Sequence, residues 1–183
     1  MELKGSKTEQ NLMTAFAGES QARNKYTYYA SKAKKDGFEQ IAAIFEETAN
    51  NEKEHAKLWF KELHGGNIPS TEENLEDAAN GENYEWTEMY KEFAKVAKEE
   101  GFSDIENLFT NIASIENVHS ERFKKYAEKL SSGSLFKDTI TSAWMCTNCG
   151  FIYEGLVAPA KCPVCSHPQG YFIKFDESPF EDK

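Results

Sequence analysis

Two segments of matching spacing constrain this chain more than any other feature. GFEQIAAIFEETANNEKEH (37–55) and GFSDIENLFTNIASIENVH (101–119) each end in Glu-x-x-His, at an offset of 64 positions. At that offset Gly37, Phe38, Ile41, Phe45, Ala49, Glu52 and His55 meet Gly101, Phe102, Ile105, Phe109, Ala113, Glu116 and His119. The apolar positions recur at helical spacing, so both segments read as amphipathic helices that are copies of one another.

Four helices are predicted. The first covers about 8–36, with Leu12, Ala15, Phe16, Ala22, Tyr26, Ala30 and Ala33 on one face and Gly37 as its stop. The second carries Ile41, Phe45, Thr48, Trp59 and Leu63, with Gly65-Gly66 after it. The third, 82–100, presents Trp86, Met89, Phe93 and Val96, and the fourth, about 102–131, presents Ile105, Phe109, Ile112, Phe123 and Leu130. The pattern predicts a mainly α protein of two similar hairpins. If a pseudo-two-fold relates them, the link between helices two and three runs back along the bundle. Residues 65–81 reach roughly 50 Å when extended, which suits a four-helix bundle with one long crossover. The expected boundaries are a bundle over 1–135, a link over 136–142 and a small C-terminal domain over 143–183.

On a helical wheel Glu52 falls in the middle of its apolar stripe with His55 at the edge, Glu116 and His119 sit likewise, and Glu19 lies among Leu12, Ala15, Phe16 and Tyr26. Burying even one carboxylate without a partner costs several kcal/mol. The only basic residue in these stripes is Arg23, one turn from Glu19, too little to neutralise three glutamates. Metal ions supply the missing positive charge. Carboxylates with imidazoles and no thiolate suit iron or manganese, and a Glu-x-x-His from each of two helices plus a glutamate from each of the others is the di-metal pattern of helical bundles. A lone Glu-x-x-His is ordinarily a solvated helix face; two in register on apolar stripes are not.

In the third helix Glu85 lies at the margin of the apolar side and Glu88 further round. Aligning helices one and three at an offset of 66 sets Glu85 opposite Glu19, with Glu88 as an extra carboxylate. Tyr26, two turns past Glu19, is placed to donate a hydrogen bond near the metals, although packing is the commoner use of such a tyrosine. His64 and His167 read as a helix-end residue and a structural residue.

All four cysteines fall between 146 and 165, as Cys146-x-x-Cys149 and Cys162-x-x-Cys165. The spacing indicates a tetrahedral four-thiolate site, with Gly150 and Ser166 letting backbone amides turn toward the sulfurs and Tyr153, Phe172 and Phe175 covering a small core. Zinc or a single iron fits that geometry; zinc makes the module structural, iron makes it a one-electron carrier.

A formal charge of −10 argues against nucleic acid and anionic membranes as partners. No stretch reaches 18 consecutive apolar residues and MELKGSKTEQ has no signal core, so the expected compartment is the cytoplasm. No nucleotide-binding glycine motif occurs, so NADH is not expected to bind directly.

With both sites in view the chain resembles the rubrerythrins, on FAGESQARNKY, ETANNEKEHAK, YEWTEMY, SIENVHSERF and the cysteine tail. The resemblance covers essentially the whole chain and implies a ferritin-like bundle with a rubredoxin-like iron domain. It implies a carboxylate-bridged, non-haem di-iron centre on Glu19, Glu52, Glu85, Glu88, Glu116 and His119. His55 matches the histidine that replaces a glutamate, here Glu88, when the irons are reduced. It further implies iron on Cys146, Cys149, Cys162 and Cys165, and an antiparallel homodimer bringing one subunit's tail near the other's bundle. The implied activity is reduction of hydrogen peroxide to water, with electrons from an NADH-dependent reductase, often through rubredoxin. Ferroxidase or iron-storage activity, dioxygen reduction, and a zinc-filled docking module are the competing readings.

Overall fold

The computed structural model describes residues 2–177. The chain is mainly α with a small C-terminal antiparallel sheet, and it divides into two compact units at Ser70. No helix among the described residues is long and apolar enough to cross a membrane.

The first unit is a hairpin of α1 (Lys7–Lys35) and α2 (Glu39–Leu63). Ser6 caps α1: its Oγ accepts from the Glu9 N–H while the Gly5 N–H donates to the Glu9 carboxylate, a reciprocal satisfaction of free amides. The turn between the helices is made by Gly37 at φ 82, with the Phe38 N–H donating to the Ala33 carbonyl at 2.9 Å. Its seam is built from alanines: Ala30, Ala33, Ala42, Ala49 and Ala56 are the buried residues of the two helices. Small side chains let two backbones approach closely, and the larger apolar groups then lie beside the seam. His64 takes the C-cap of α2, its ring stacked on Phe60.

The second unit repeats the plan. α3 (Thr71–Tyr84), a π-helical segment (Glu85–Met89) and α4 (Tyr90–Glu99) together pack on α5 (Ser103–Ser131). The turn is again glycine, Gly101 at φ 84, and the Phe102 N–H donates to the Ala97 carbonyl at 2.8 Å. Ala79, Ala97, Ala113 and Ser120 line the seam, where the Ser120 hydroxyl donates to the Ala79 carbonyl at 3.0 Å. The third helix thus begins at Thr71 rather than at 82, because residues 71–81 are polar but strong enough helix formers to fill most of the segment expected to be extended.

Matching ring pairs show how closely the hairpins agree. Tyr26 meets Phe45 at 6.2 Å and Tyr90 meets Phe109 at 5.9 Å, each pair inclined at 32°. Both pairs obey the offset of 64.

The sheet has the order β2-β1-β3, from β1 (Lys137–Cys146), β2 (Ile152–Val157) and β3 (Phe172–Lys174). β1 therefore starts inside the segment read as a link. Trp144, Cys146, Ala158, Cys162 and Phe172 form the core, and the Trp144 indole donates to the Gly155 carbonyl at 3.0 Å. Asp138 holds β1 to β3 through Lys174 and also accepts from Ser142. Of the rings expected over this core, Phe172 is buried, Phe175 half-buried, and Tyr153 is exposed with its ring lying where a side chain on Gly155 would stand. Residues 178–183, the end of the expected C-terminal domain, lie outside the described residues.

Candidate metal centres

Each helical hairpin carries a cluster of two carboxylates and one imidazole. In the first, α1 supplies Glu19 and α2 supplies Glu52 and His55, with donor atoms all within 4.8 Å of one another. His55 Nδ1 lies 2.9 Å from Glu52 Oε2 and 3.7 Å from Glu19 Oε2. In the second, α3 supplies Glu82 and α5 supplies Glu116 and His119. His119 Nδ1 lies 2.7 Å from Glu116 Oε2 and 3.6 Å from Glu82 Oε2. The i, i+3 spacing puts each Glu-x-x-His pair on one face, and the neighbouring helix presents the second carboxylate across the seam.

The electrostatics of the clusters are those of ligands short of a cation. A hydrogen bond to Glu52, burial and the Glu52 charge all hold Glu19 above its ordinary value, while hydrogen bonds to Glu19 and His55 hold Glu52 below it. The two carboxylates are thus pushed apart in acidity, Glu19 being the one that takes up a proton first. Burial, then a hydrogen bond to Glu116, raises Glu82. The indole of Trp59 tempers the rise at Glu19, and its Nε1 is buried with no hydrogen-bond partner of good geometry among the described residues. Paired carboxylates held together with imidazole, half out of water, match the donors of a carboxylate-bridged di-iron centre.

Glu82 did not figure in the expected ligand set. The signal that finds it is the π segment. Between the π segment and the hairpin turn the two hairpins match at 64, as Tyr26 with Tyr90 and Ala33 with Ala97; before it, Glu19 matches Glu82 at 63. One residue is inserted, as π segments do, and the insertion moves the carboxylate one place. The offset of 66 that paired Glu19 with Glu85 is not the one the helices adopt.

The other expected residues fall as follows. Glu85, half-buried on the first turn of the π segment, acts on Glu82 and on Tyr90, whose hydroxyl is raised first by burial and then by Glu85, Glu116 and Glu82. Glu88 is exposed and belongs to neither cluster. Tyr26 is half-buried against Phe45 and Tyr29. Arg23 is exposed, with Nη1 donating to Asn24.

The four thiols converge in the C-terminal domain. Cys146 Sγ lies 3.6 Å from Cys165 Sγ, Cys149 Sγ lies 3.7 Å from Cys162 Sγ, and all four are within 4.8 Å. Two matching knuckles hold them: the Gly150 N–H donates to the Cys146 carbonyl and the Ser166 N–H to the Cys162 carbonyl. Gly150 has φ 76 and Ser166 has φ 63, the latter the only positive φ on a non-glycine among the described residues. The Phe151 N–H favours the Cys149 thiolate, but burial and hydrogen bonds to the other three sulfurs push it up to about 12. The His167 N–H holds Cys165 down at about 5. Four sulfurs crowded at contact distance fit one tetrahedral cation. The His167 ring sits edge-on to Tyr171 at 4.4 Å, a packing role.

Comparison with known proteins agrees with both centres. The rubrerythrin family model matches residues 10–127, and that of the rubrerythrin rubredoxin-like domain matches residues 144–173. A rubrerythrin of Porphyromonas gingivalis is 50% identical over 181 residues, covering 93% of this chain and 90% of its own. One from Nitratidesulfovibrio vulgaris is 48% identical, covering 93% of this chain and 95% of its own. A putative rubrerythrin of Methanocaldococcus jannaschii is 42% identical, covering 90% and 91%.

Proposed function

Because the chain belongs to the rubrerythrin family, with a carboxylate-bridged di-iron centre and an iron held by four cysteines as its cofactors, we propose that it reduces hydrogen peroxide to water. The observation that carries this reading is the presence on one chain of two carboxylate–imidazole clusters and a thiolate tetrad. A two-electron site and a one-electron relay together suit a reductase.

The overall step is H2O2 with two protons and two electrons giving two waters; the O–O bond breaks and the iron centres are the electron source. When bound, a di-iron pair delivers two electrons together, so that the bond is cleaved without release of a hydroxyl radical. Glu19, Glu52, Glu82, Glu85, Glu116, His55 and His119 would hold it, with Glu82 taking the place first given to Glu85, and Glu85 the extra carboxylate. Glu88, exposed on the π segment, stays out of the ligand set. Tyr90, raised by burial and by the charges of Glu85, Glu116 and Glu82, keeps its phenol protonated beside the carboxylates.

An NADH-dependent reductase, directly or through a rubredoxin, is the electron donor; Cys146, Cys149, Cys162 and Cys165 would hold the iron that accepts single electrons for the helical site. The working form is a cytoplasmic homodimer. Ferroxidase or iron-storage activity uses the same helical clusters but leaves the tetrad without a task; dioxygen reduction shares the donors and differs in the oxidant. Purified protein, reduced anaerobically and offered peroxide or dioxygen in turn, separates these. Peroxide consumption that needs the reductant supports the proposal, whereas iron uptake into a mineral without peroxide turnover overturns it.

A further inference from the structure

Among the described residues one buried side-chain donor lacks a hydrogen-bond partner of good geometry: the indole Nε1 of Trp59, on α2. A buried indole N–H ordinarily finds an acceptor, because a bare one has given up water for nothing. The protein follows that rule at Trp144, whose N–H reaches the Gly155 carbonyl at 3.0 Å. Trp59 departs from it, and does so beside the first carboxylate cluster.

The helix sets what Trp59 faces. It follows His55 by four residues and Glu52 by seven, so at about 100° per residue all three share one face of α2. That face meets Glu19 of α1, whose Oε2 lies 3.7 Å from His55 Nδ1. The ring contact of Phe16 with Phe60, at 5.7 Å, holds the preceding turn of α1 against the turn that carries Trp59. Glu19, raised chiefly by its hydrogen bond to Glu52, is drawn back down by His55 and by the Trp59 indole, so the indole acts on this carboxylate.

The second hairpin supplies a natural comparison. At the offset of 64 Trp59 is matched by Phe123, a ring without a donor. Glu82, the counterpart of Glu19, is raised chiefly by burial, with His119 opposing the rise. A phenyl ring thus fills the matching place, and the N–H is an addition to one half of the repeat.

Resting on the di-iron reading, we propose that the Trp59 N–H donates to the Glu19 carboxylate when a metal is held there, and so fixes the orientation of that ligand. A carboxylate that binds a cation through one lone pair has others to offer, and a donor on one of them restricts its rotation. Trp59 is then a positioning residue of the first cluster, touching the ligand and not the metal. Partners of this kind set metal affinity by about 10–100-fold.

The test separates the N–H from the ring. Trp59 is replaced site-specifically by benzothienylalanine, which keeps the bicyclic shape with sulfur in place of the N–H, and in a parallel protein by fluorotryptophan, which keeps the N–H. Trp59→Phe is the coarser companion. In the full chain, with zinc filling the four-cysteine site, Mn2+ is titrated in and the electron paramagnetic resonance of the free ion is followed, since Mn2+ suits carboxylate and imidazole donors. The benzothienylalanine protein is expected to bind Mn2+ about tenfold more weakly than the fluorotryptophan protein. Equal or tighter binding by the benzothienylalanine protein overturns the proposal, because the ring alone then accounts for the residue. Both analogues preserve the volume of the side chain, so this comparison stands even where Trp59→Phe fails to fold. Wild-type protein that takes up neither Mn2+ nor iron beyond the four-cysteine site overturns the di-iron reading instead.

Discussion

Glu82 stands to His119 as Glu19 stands to His55: carboxylate oxygen and Nδ1 are 3.6 Å apart in the second hairpin and 3.7 Å in the first. The two clusters are one design executed twice, and the π segment Glu85–Met89 absorbs the single residue by which the copies differ. Its effect is to leave Glu82 paired across the seam while admitting Glu85 beside it.

From that relationship we infer that Glu82 is a ligand and Glu88 is not. Glu82→Ala is expected to remove roughly half or more of the iron of the helical site, and Glu88→Ala to leave it loaded. Iron counted by elemental analysis against the four-cysteine iron decides the matter, and equal loss in both variants contradicts the assignment.

The alanine seam tolerates little added volume. Ala42 is 0% exposed, and Ala42→Leu is expected to destabilise the protein by about 1–3 kcal/mol through overpacking. Thermal unfolding followed by circular dichroism reads this, with an unchanged Tm as the contrary result.

Protonation of the clusters gives the metal-free protein a distinct pH response. Glu82 is held above its ordinary value of 4.5, chiefly by burial, so the folded state binds its proton more tightly than the unfolded state. Stability from this group is present below 4.5 and is lost as pH rises through the raised folded value. Glu82→Gln, which stays neutral, should therefore gain in Tm relative to wild type as pH rises from 4 toward neutrality in the presence of a chelator. A gap that narrows over that interval would count against the account.

Much of this was legible in the residues. The offset of 64 identified α2 and α5 as copies, the glycines at 37 and 101 marked the turns, and the cysteine spacing gave the tetrad, because each rests on short-range geometry. The place of Glu82 was not, since a π insertion shifts register by one residue without leaving a mark in the apolar pattern. The start of α3 at Thr71 was missed because its first turns, TEENLEDAANG, carry few apolar residues to set a period. The seam was also obscured: wheels weighted by large side chains favour Ile41 and Phe45, whereas the close contact uses Ala42, Ala49 and Ala56.

The proposed relay role of the tetrad is separable from the chemistry of the clusters. Cys149→Ser is expected to abolish turnover with a protein electron donor while the chemically reduced helical site still reacts once with peroxide. Stopped-flow absorbance distinguishes these, and loss of the single reaction as well speaks against a relay.

The central claim is two-electron peroxide reduction by iron in the carboxylate clusters, and anaerobic titration tests it most directly. Protein isolated with about three irons per chain, reduced and mixed with hydrogen peroxide, should consume one equivalent per helical site for the di-iron pair and about half an equivalent more for the four-cysteine iron, and return to its oxidised spectrum, forming water without dioxygen. A colourless protein with zinc in these sites, or a reduced protein whose spectrum peroxide leaves unchanged, would contradict it.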